Sequence, residues 1–524
     1  MVTPINTAFL KMAKRAEKYD NKHLVSTFVD VGPLFTLLTN IDHQILYGRR
    51  GTGKTHALKY LGNEIKKNND DIIIYADLRM IGSTGGIYNS NELSLSERAT
   101  RLLVDTLTEI HDNLMQYAIE HEEFIDLSRF GSLLDEFAES ITEVIVEGKT
   151  EKEIRKEEKQ QYTNETGLEF TAKTDRIEGH LRSTDIHDRV ENEEFRQTRY
   201  GIEKTRLHFG RVLKTLKKIM SVIKPKRLWI MLDEWSEIPT SLQPYLADLL
   251  RKTLFPLENI TVKIAAIEQR SNFRLHTGED GYIGIELGAD TDNLNLDEFM
   301  VFDNDKDQAK NFFMRLIFRH VKSILSSEKN NIPDSPEKLI NDAFTQKNTF
   351  DELVRAAEGV PRDGINILAR AAQKANNKHI TMDHIREAAR NWYIRAKEKS
   401  VSSNPKALKL LRWIIDEVIK HRQARAFLIK RDENYYLIDY LFDARILHVV
   451  KKSISGRDEP GVRYKVYSID YGCYVDLSNT SQYPKGLFSV DTEEGEKFVE
   501  VPENDYRSIR RAILDVDEFE YVTN

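Results

Sequence analysis

The chain has 524 residues, 40% hydrophobic and 31% charged, with a formal net charge of −7. That length holds about two to four domains with cores of their own. No run approaches the roughly 18 consecutive apolar residues of a membrane span, and a single cysteine, Cys473, excludes an internal disulfide or a zinc site built from several cysteines. The acidic balance also excludes a polyanion-binding surface over the whole molecule, so any nucleic-acid contact must come from a local basic patch. Residues 1–20 lack the apolar core of a secretory signal and read as an amphipathic helix, which makes a cytoplasmic location the expectation.

The strongest signal comes early. Gln44-Ile45-Leu46-Tyr47 is a short apolar run suited to a buried strand, and His56 to Leu61 reads as a helix. Between them lies Gly48-Arg49-Arg50-Gly51-Thr52-Gly53-Lys54-Thr55, which matches G-x-x-x-x-G-K-[ST]. Gly48, Gly51 and Gly53 let the backbone turn sharply and bring N–H groups toward phosphates without Cβ clashes. The following helix adds its positive end. Lys54 is expected to reach the β- and γ-phosphates of ATP, and the Thr55 hydroxyl to ligate Mg2+. The run from Gly48 to His56, including Arg49, Arg50 and Thr52, is the predicted nucleotide cradle.

Further along, Ile72 to Ala76 reads as a strand and residues 93–122 as a long helix. An insertion of about 123–192 follows, with a mixed-charge run from Glu151 to Lys159 and a strand-like alternation from Leu168 to Lys173. It names no target. A second long helix is expected near 193–222. Arg227 to Leu232 then describes a buried strand that delivers Asp233 and Glu234 at its C-terminal edge, where ligands sit in open α/β sheets. Asp233 is expected to hold the magnesium and Glu234 to polarise the attacking water. The next apolar strand, Ile260 to Ile267, ends in the polar cluster Glu268-Gln269-Arg270-Ser271-Asn272.

Residues 301–400 are helical and amphipathic. Phe350, Leu353, Val354 and Ala357 mark one apolar face, and a helix over 363–376 follows Gly359-Val360-Pro361-Arg362-Asp363. Ser400 to Pro405 reads as a linker. Beyond it come a helix over 406–420, the apolar run Ala426 to Ile429, and helical spacing at Leu437, Leu441 and Ala444. Two alternating strands, His448 to Ile454 and Val462 to Tyr467, are joined by a turn-rich segment. Helices ending in a β-hairpin describe a winged helix-turn-helix. Its basic residues outnumber its acids, and Lys451, Lys452, Arg457, Arg463 and Lys465 are candidates for double-stranded DNA phosphates. The tail beyond 478 is acidic.

The adjacent acids Asp233 and Glu234 resemble the Walker B motif of the AAA+ ATPases, and Gly359-Val360-Pro361-Arg362 resembles the lid signature of AAA+ initiators and branch-migration motors. The whole order resembles the origin-recognition and initiator-type AAA+ ATPases, whose bacterial relatives include transposition regulators and ATPases of anti-phage systems. The resemblance implies an α/β fold: a P-loop AAA+ parallel sheet over residues 1–300, a helical lid over 301–400, a winged-helix domain over 401–478 and an acidic extension over 479–524. It implies ATP hydrolysis with Mg2+, oligomerisation of like subunits, and a second sensor at Arg362. Gln269 is the candidate for the first sensor, with Glu268 and Asn272 as alternatives. Arg270 and Arg274 both lie where a neighbouring subunit's arginine is drawn from, and spacing does not choose between them. The leading expectation is an ATP-controlled, oligomerising DNA-binding switch. Its alternative is a STAND-like signalling ATPase whose winged helix makes protein contacts and whose partner is a separate effector protein.

Overall fold

The computed structural model describes residues 3–478 apart from 13–19, 31, 70, 82–87, 89–92, 124, 142–143, 148–201, 206, 224–225, 278–280, 298–305, 329, 432–434 and 456–460, together with 480, 484, 488–492, 495–499, 513–516 and 519. The strands in chain order are β1 (Gln44–Tyr47), β2 (Ile72–Asp77), β3 (Val144–Glu147), β4 (Ile202–Thr205), β5 (Leu228–Asp233), β6 (Ile260–Ala266), β7 (Arg274–Thr277), β8 (Gly281–Gly284), β9 (Asp292–Asn295), β10 (Ala426–Lys430), β11 (Leu447–Ser455), β12 (Arg463–Ile469), β13 (Phe488–Thr492) and β14 (Gly495–Val499). Two compact units divide the chain: Met1–Met80, Lys226–Pro244 and Glu258–Asn524 form one, and Ile81–Pro225 with Tyr245–Leu257 form the other.

A five-stranded parallel sheet in the order β2-β5-β6-β1-β9 carries the first unit. Every residue of β5 and β6 is buried, as expected of interior parallel strands covered on both faces. Because β6 lies between β1 and β5, the carboxyl ends of three adjacent strands bring the glycine loop, the cluster after Ala266 and the pair Asp233-Glu234 to one edge. That edge is where open α/β sheets bind ligands. The helix Lys54–Asn69 leaves the loop directly.

The helices Lys306–Ser327, Pro336–Ala343, Lys347–Ala357, Pro361–Ala375 and Met382–Trp392 follow. Phe350, Leu353, Val354 and Ala357 are all buried in their shared core, so the helical period alone located that face. Pro361 occupies the first turn, where its missing N–H costs nothing. The expected break at 400–405 is a tight turn, not an extended linker. A π-helical stretch, Tyr393–Glu398, runs into Lys399–Val401, Val401 is buried, and the Asn404 side chain caps the next helix by accepting from Ala407 N at 3.2 Å. That helix is α-helical over Pro405–Ile414 and π-helical over Ile415–His421.

The rest of the module is a winged helix: β10, the helix Tyr436–Asp443, then β11 and β12, with antiparallel order β10-β12-β11. Register shifts between Val449 and Lys451 and between Lys451 and Ile454 twist β11 along the wing.

In the second unit the helix Leu127–Ile141 packs against both Leu95–Glu120 and Phe209–Val222. Each has an apolar stripe at helical spacing, such as Phe130, Leu134, Phe137 and Ile141. Of the helix expected near 193–222, residues 193–201 lie outside the described residues and Phe209–Val222 is helical. The residues before it, Ile202–Thr205, form β4, which pairs antiparallel with β3; cross-strand pairing overrides the local helical pattern there. The mixed-charge run from Glu151 to Lys159 and the alternation from Leu168 to Lys173 lie outside the described residues. No helix among the described residues is long and apolar enough to cross a membrane.

Candidate nucleotide site

The loop between β1 and the helix Lys54–Asn69 is shaped by its glycines. Gly51 has φ +91° and Gly53 φ +101°, a region that side-chain-bearing residues seldom adopt. A Cβ on Gly53 would meet nothing within 4 Å, whereas one on Gly51 would lie 2.8 Å from Arg362 Cβ. The space over Gly53 is therefore open to an incoming group, and the space over Gly51 is closed by the lid helix.

Lys54 is buried, and its ammonium donates to Gly48 O at 2.7 Å and Arg49 O at 3.1 Å. Burial pulls its pKa down, while the charges of Glu234, Asp233 and Asp297 oppose that pull. Its bonded partners are neutral carbonyls, so its charge is available to an anion at the loop.

Across the edge, Asp233 is fully buried. Its carboxylate accepts from Tyr75 Oη at 2.6 Å and from Glu234 N at 2.8 Å. Glu234 adopts a left-handed φ of +58°, a strained turn of the kind found where a side chain must be aimed. Its pKa is raised by burial and by the neighbouring Asp233 charge. Arg79 sits 3.7 Å from Glu234 and is itself paired with Asp77 at the end of β2. Sequence reasoning missed Tyr75 and Arg79. Only the sheet order, which lays β2 beside β5, brings them to the acids.

Gly51 O accepts from Arg362 N at 3.2 Å, so the start of the lid helix rests on the loop. Gln269 Oε1 is buried without a hydrogen-bond partner among the described residues. Glu268 instead accepts from Asn295 at 3.1 Å and pairs with Lys452 of the wing at 3.2 Å. Asn272 N donates to the Gln243 side chain at 2.6 Å.

Several predicted residues turn elsewhere. The Arg50 side chain pairs with Glu237, and His56 Nε2 bonds to Leu24 O at 2.7 Å with its ring edge on Phe28. Thr52 Oγ1 donates to Arg49 O at 2.9 Å. Thr55 stands half-buried in the first turn of its helix. Of the two candidate arginines, Arg270 pairs with Asp443 of the winged helix at 3.5 Å. Arg274 pairs with Glu286 at 3.0 Å and lies over the Tyr282 ring.

Three of the wing's basic residues face the nucleotide edge. Lys451, Lys452 and Lys465 line a cleft of about 560 Å³ together with Gly48, Gln269 and Asp297. Arg463 is exposed and donates to Ser453 Oγ at 3.1 Å, and Arg457 lies outside the described residues.

A glycine loop at the carboxyl end of β1 in a parallel sheet, paired acids at the end of β5 with β6 between them, a helical lid and a winged helix define a P-loop core of the AAA+ type. The chain belongs to the ORC-CDC6-like family, whose model matches residues 12–349. It is similar to solved structures of Cdc6p from Pyrobaculum aerophilum (13% identity, 89% of this chain and 93% of that one, TM-score 0.31) and of the Aeropyrum pernix ORC1 protein in complex with DNA (12%, 87% and 96%, 0.32). It is also similar to Drosophila ORC bound to DNA (9%, 88% and 92%, 0.27). No curated protein sequence matches the chain.

Proposed function

We propose that the chain is an ATP-binding and ATP-hydrolysing switch that assembles with copies of itself and exposes its winged helix to double-stranded DNA in one of its nucleotide states. The supporting observation is the juxtaposition of a buried, carboxylate-free Lys54 with the buried pair Asp233-Glu234 at a single sheet edge. The family assignment supports the same class.

ATP with Mg2+ supplies a hydrolysable phosphoanhydride and a metal charge on its phosphate oxygens. For the chain's own part, the N–H groups of the Gly48–Thr55 loop and the Lys54 ammonium bind phosphate oxygens. Thr55 and Asp233 would hold the metal, with Tyr75 orienting the Asp233 carboxylate. Glu234 takes the proton of the attacking water. Its raised affinity for a proton suits a base, and Arg79 holds the carboxylate in place. Arg362, carried at the start of the lid helix, transmits the state of the loop to the lid. Gln269 has an unfilled acceptor beside Gly48 and fits the first-sensor role better than Glu268, which is occupied.

A second reading is favoured by a specific observation: the ion pairs Lys452–Glu268 and Arg270–Asp443 turn the winged helix inward onto the nucleotide core. In that reading the module clamps nucleotide and an effector protein is the partner. Fluorescence anisotropy with a duplex of about 30 base pairs, over a salt series with and without ATP, separates the two. Binding that weakens steeply with salt and is lost in a Lys451→Ala/Lys452→Ala variant supports the DNA switch. No binding at low salt supports the clamp. A nuclease or other toxic effector encoded beside the gene would place the switch in anti-phage defence, and a transposase would place it in mobile-element regulation.

A further inference from the structure

The second residue of the glycine loop, Arg49, is 1% exposed. Its backbone N–H and its Nε both donate to the Asp297 carboxylate, at 3.0 and 2.9 Å. Its Nη2 donates to Glu358 O at 3.0 Å, in the turn before the lid helix, and its Nη1 donates to His448 Nδ1 on β11 of the winged helix. The guanidinium lies over the Phe442 ring, also of the winged helix, at 5.8 Å. One loop side chain is thus gripped by the core, the lid and the winged helix together.

The contacts continue and close on themselves. His448 Nε2 bonds to Asp470 at 3.1 Å, Asp470 pairs with Lys397, and Lys397 pairs with Asp363 at 3.1 Å. Asp363 also accepts from Arg445 at 2.6 Å and follows Arg362, whose N–H returns to Gly51 of the same loop. His448, Asp470, Asp363 and Lys397 are 2% exposed or less. Three cations (Arg49, Lys397 and Arg445) balance three carboxylates (Asp297, Asp363 and Asp470). His448 sits between them as a neutral link, its pKa pushed down to about 4 by burial and by Arg49.

We infer that His448 is a positioning residue of the nucleotide site, acting through Arg49, so that docking of the winged helix and binding of nucleotide strengthen one another. The inference rests on the loop being the triphosphate site. Lys54 donates to the carbonyl of Arg49 itself, and to reach a phosphate it must leave that carbonyl. A loop whose Arg49 is fixed from three directions keeps its shape when the lysine departs; a loop with Arg49 released must be ordered at the moment of binding, which weakens affinity. By reciprocity, nucleotide favours the docked winged helix to the same degree. Asp470, Lys397 and Arg445 belong to the same device, since each holds either His448 or the residue beside Arg362.

The test uses the full chain, ATP or its non-hydrolysable analogue, and two readouts: nucleotide affinity, and hydrogen exchange of the amides of Leu447–Ser455. In the wild type, nucleotide should slow exchange in that strand. His448→Ala should weaken affinity about tenfold, abolish the exchange response and lower the melting temperature as well, since it leaves the buried Arg49 and Asp470 without their shared partner. His448→Gln should recover much of both, because its amide can accept from Arg49 and donate to Asp470. Should His448→Ala fail to fold, Arg49→Lys keeps a cation beside Asp297 but loses the Nη donors, and it should show the same two losses. Unchanged affinity together with an unchanged exchange response in these variants would overturn the inference. A wild type that binds no nucleotide would overturn the assignment of the loop, and this inference with it.

Discussion

Alanine at Gly51 should cost the folded protein more than alanine at Gly53, and the difference measures how firmly the lid rests on the loop. Both residues have φ well inside the positive region, +91° and +101°, so both variants carry a backbone penalty of about 1–2 kcal/mol. At Gly53 nothing is added, since the new Cβ meets no atom within 4 Å. At Gly51 it would stand 2.8 Å from Arg362 Cβ and 3.2 Å from Val360 Cγ1. Those atoms belong to the first turn of a packed helix and its cap, not to a flexible side-chain end. Relief requires the helix Pro361–Ala375 to move off the loop, lengthening the Arg362 N to Gly51 O bond of 3.2 Å, and overpacking of this kind costs about 1–3 kcal/mol more. At about 2 °C per kcal/mol for a large domain, the two melting temperatures should differ by about 2–6 °C when measured without nucleotide. Exchange at Asp363–Asn366 should speed up in Gly51→Ala only. Equal melting temperatures with equal exchange at that helix start would refute the claimed contact.

Lys54→Ala should abolish binding of a fluorescent ATP analogue. Glu234→Gln should hold nucleotide without turning it over and accumulate an assembled form by light scattering; turnover equal to that of the wild type would remove Glu234 from its role as base. Arg362→Ala should slow turnover while sparing most of the affinity, and a variant that fails to fold would mark the residue as structural. Stability should also depend on pH through His448, which faces Arg49 from the loop, Asp470 beyond β12 and Lys397 from the π-helical stretch. Its folded pKa of about 4 lies below the ordinary 6.5. Its contribution is therefore complete above pH 6.5 and lost as pH falls through about 4, for a total of about 3 kcal/mol. Chemical denaturation from pH 7 to 4 should show a shallower decline in His448→Gln, with the buried His320, held to about 3, among the groups that still contribute.

The nucleotide loop was legible because it is local: strand, glycines, lysine and helix are contiguous, and each residue type answers to a nearby backbone demand. Asp233 and Glu234 were legible for a similar reason, as acids at the end of an apolar run. What surrounds them was not. Tyr75 reaches Asp233 and Arg79 reaches Glu234 only because β2 pairs with β5, a register fixed by packing across more than 150 positions of chain. The strand Ile202–Thr205 within the helix expected near 193–222 shows the same limit, since β4 pairs with a β3 more than 50 positions away.

The winged helix shows it most clearly. Counting lysines and arginines per module gives a basic surface, but a count carries no direction. Lys452 faces Glu268, and Lys451 and Lys465 look into the cleft that begins at Gly48. His448 and Asp470 read individually as ordinary strand-end polar residues, yet His448 is tied to Arg49 across 399 positions of sequence and links Asp470 to it. Buried ion networks contribute little net stability, because desolvation offsets their attraction, while removing one member leaves an uncompensated charge. A balanced set of three cations and three carboxylates between loop, lid and wing is therefore poorly explained as reinforcement. It is well explained as a coupling, in which the geometry of one element is tolerable only when the other two are in place.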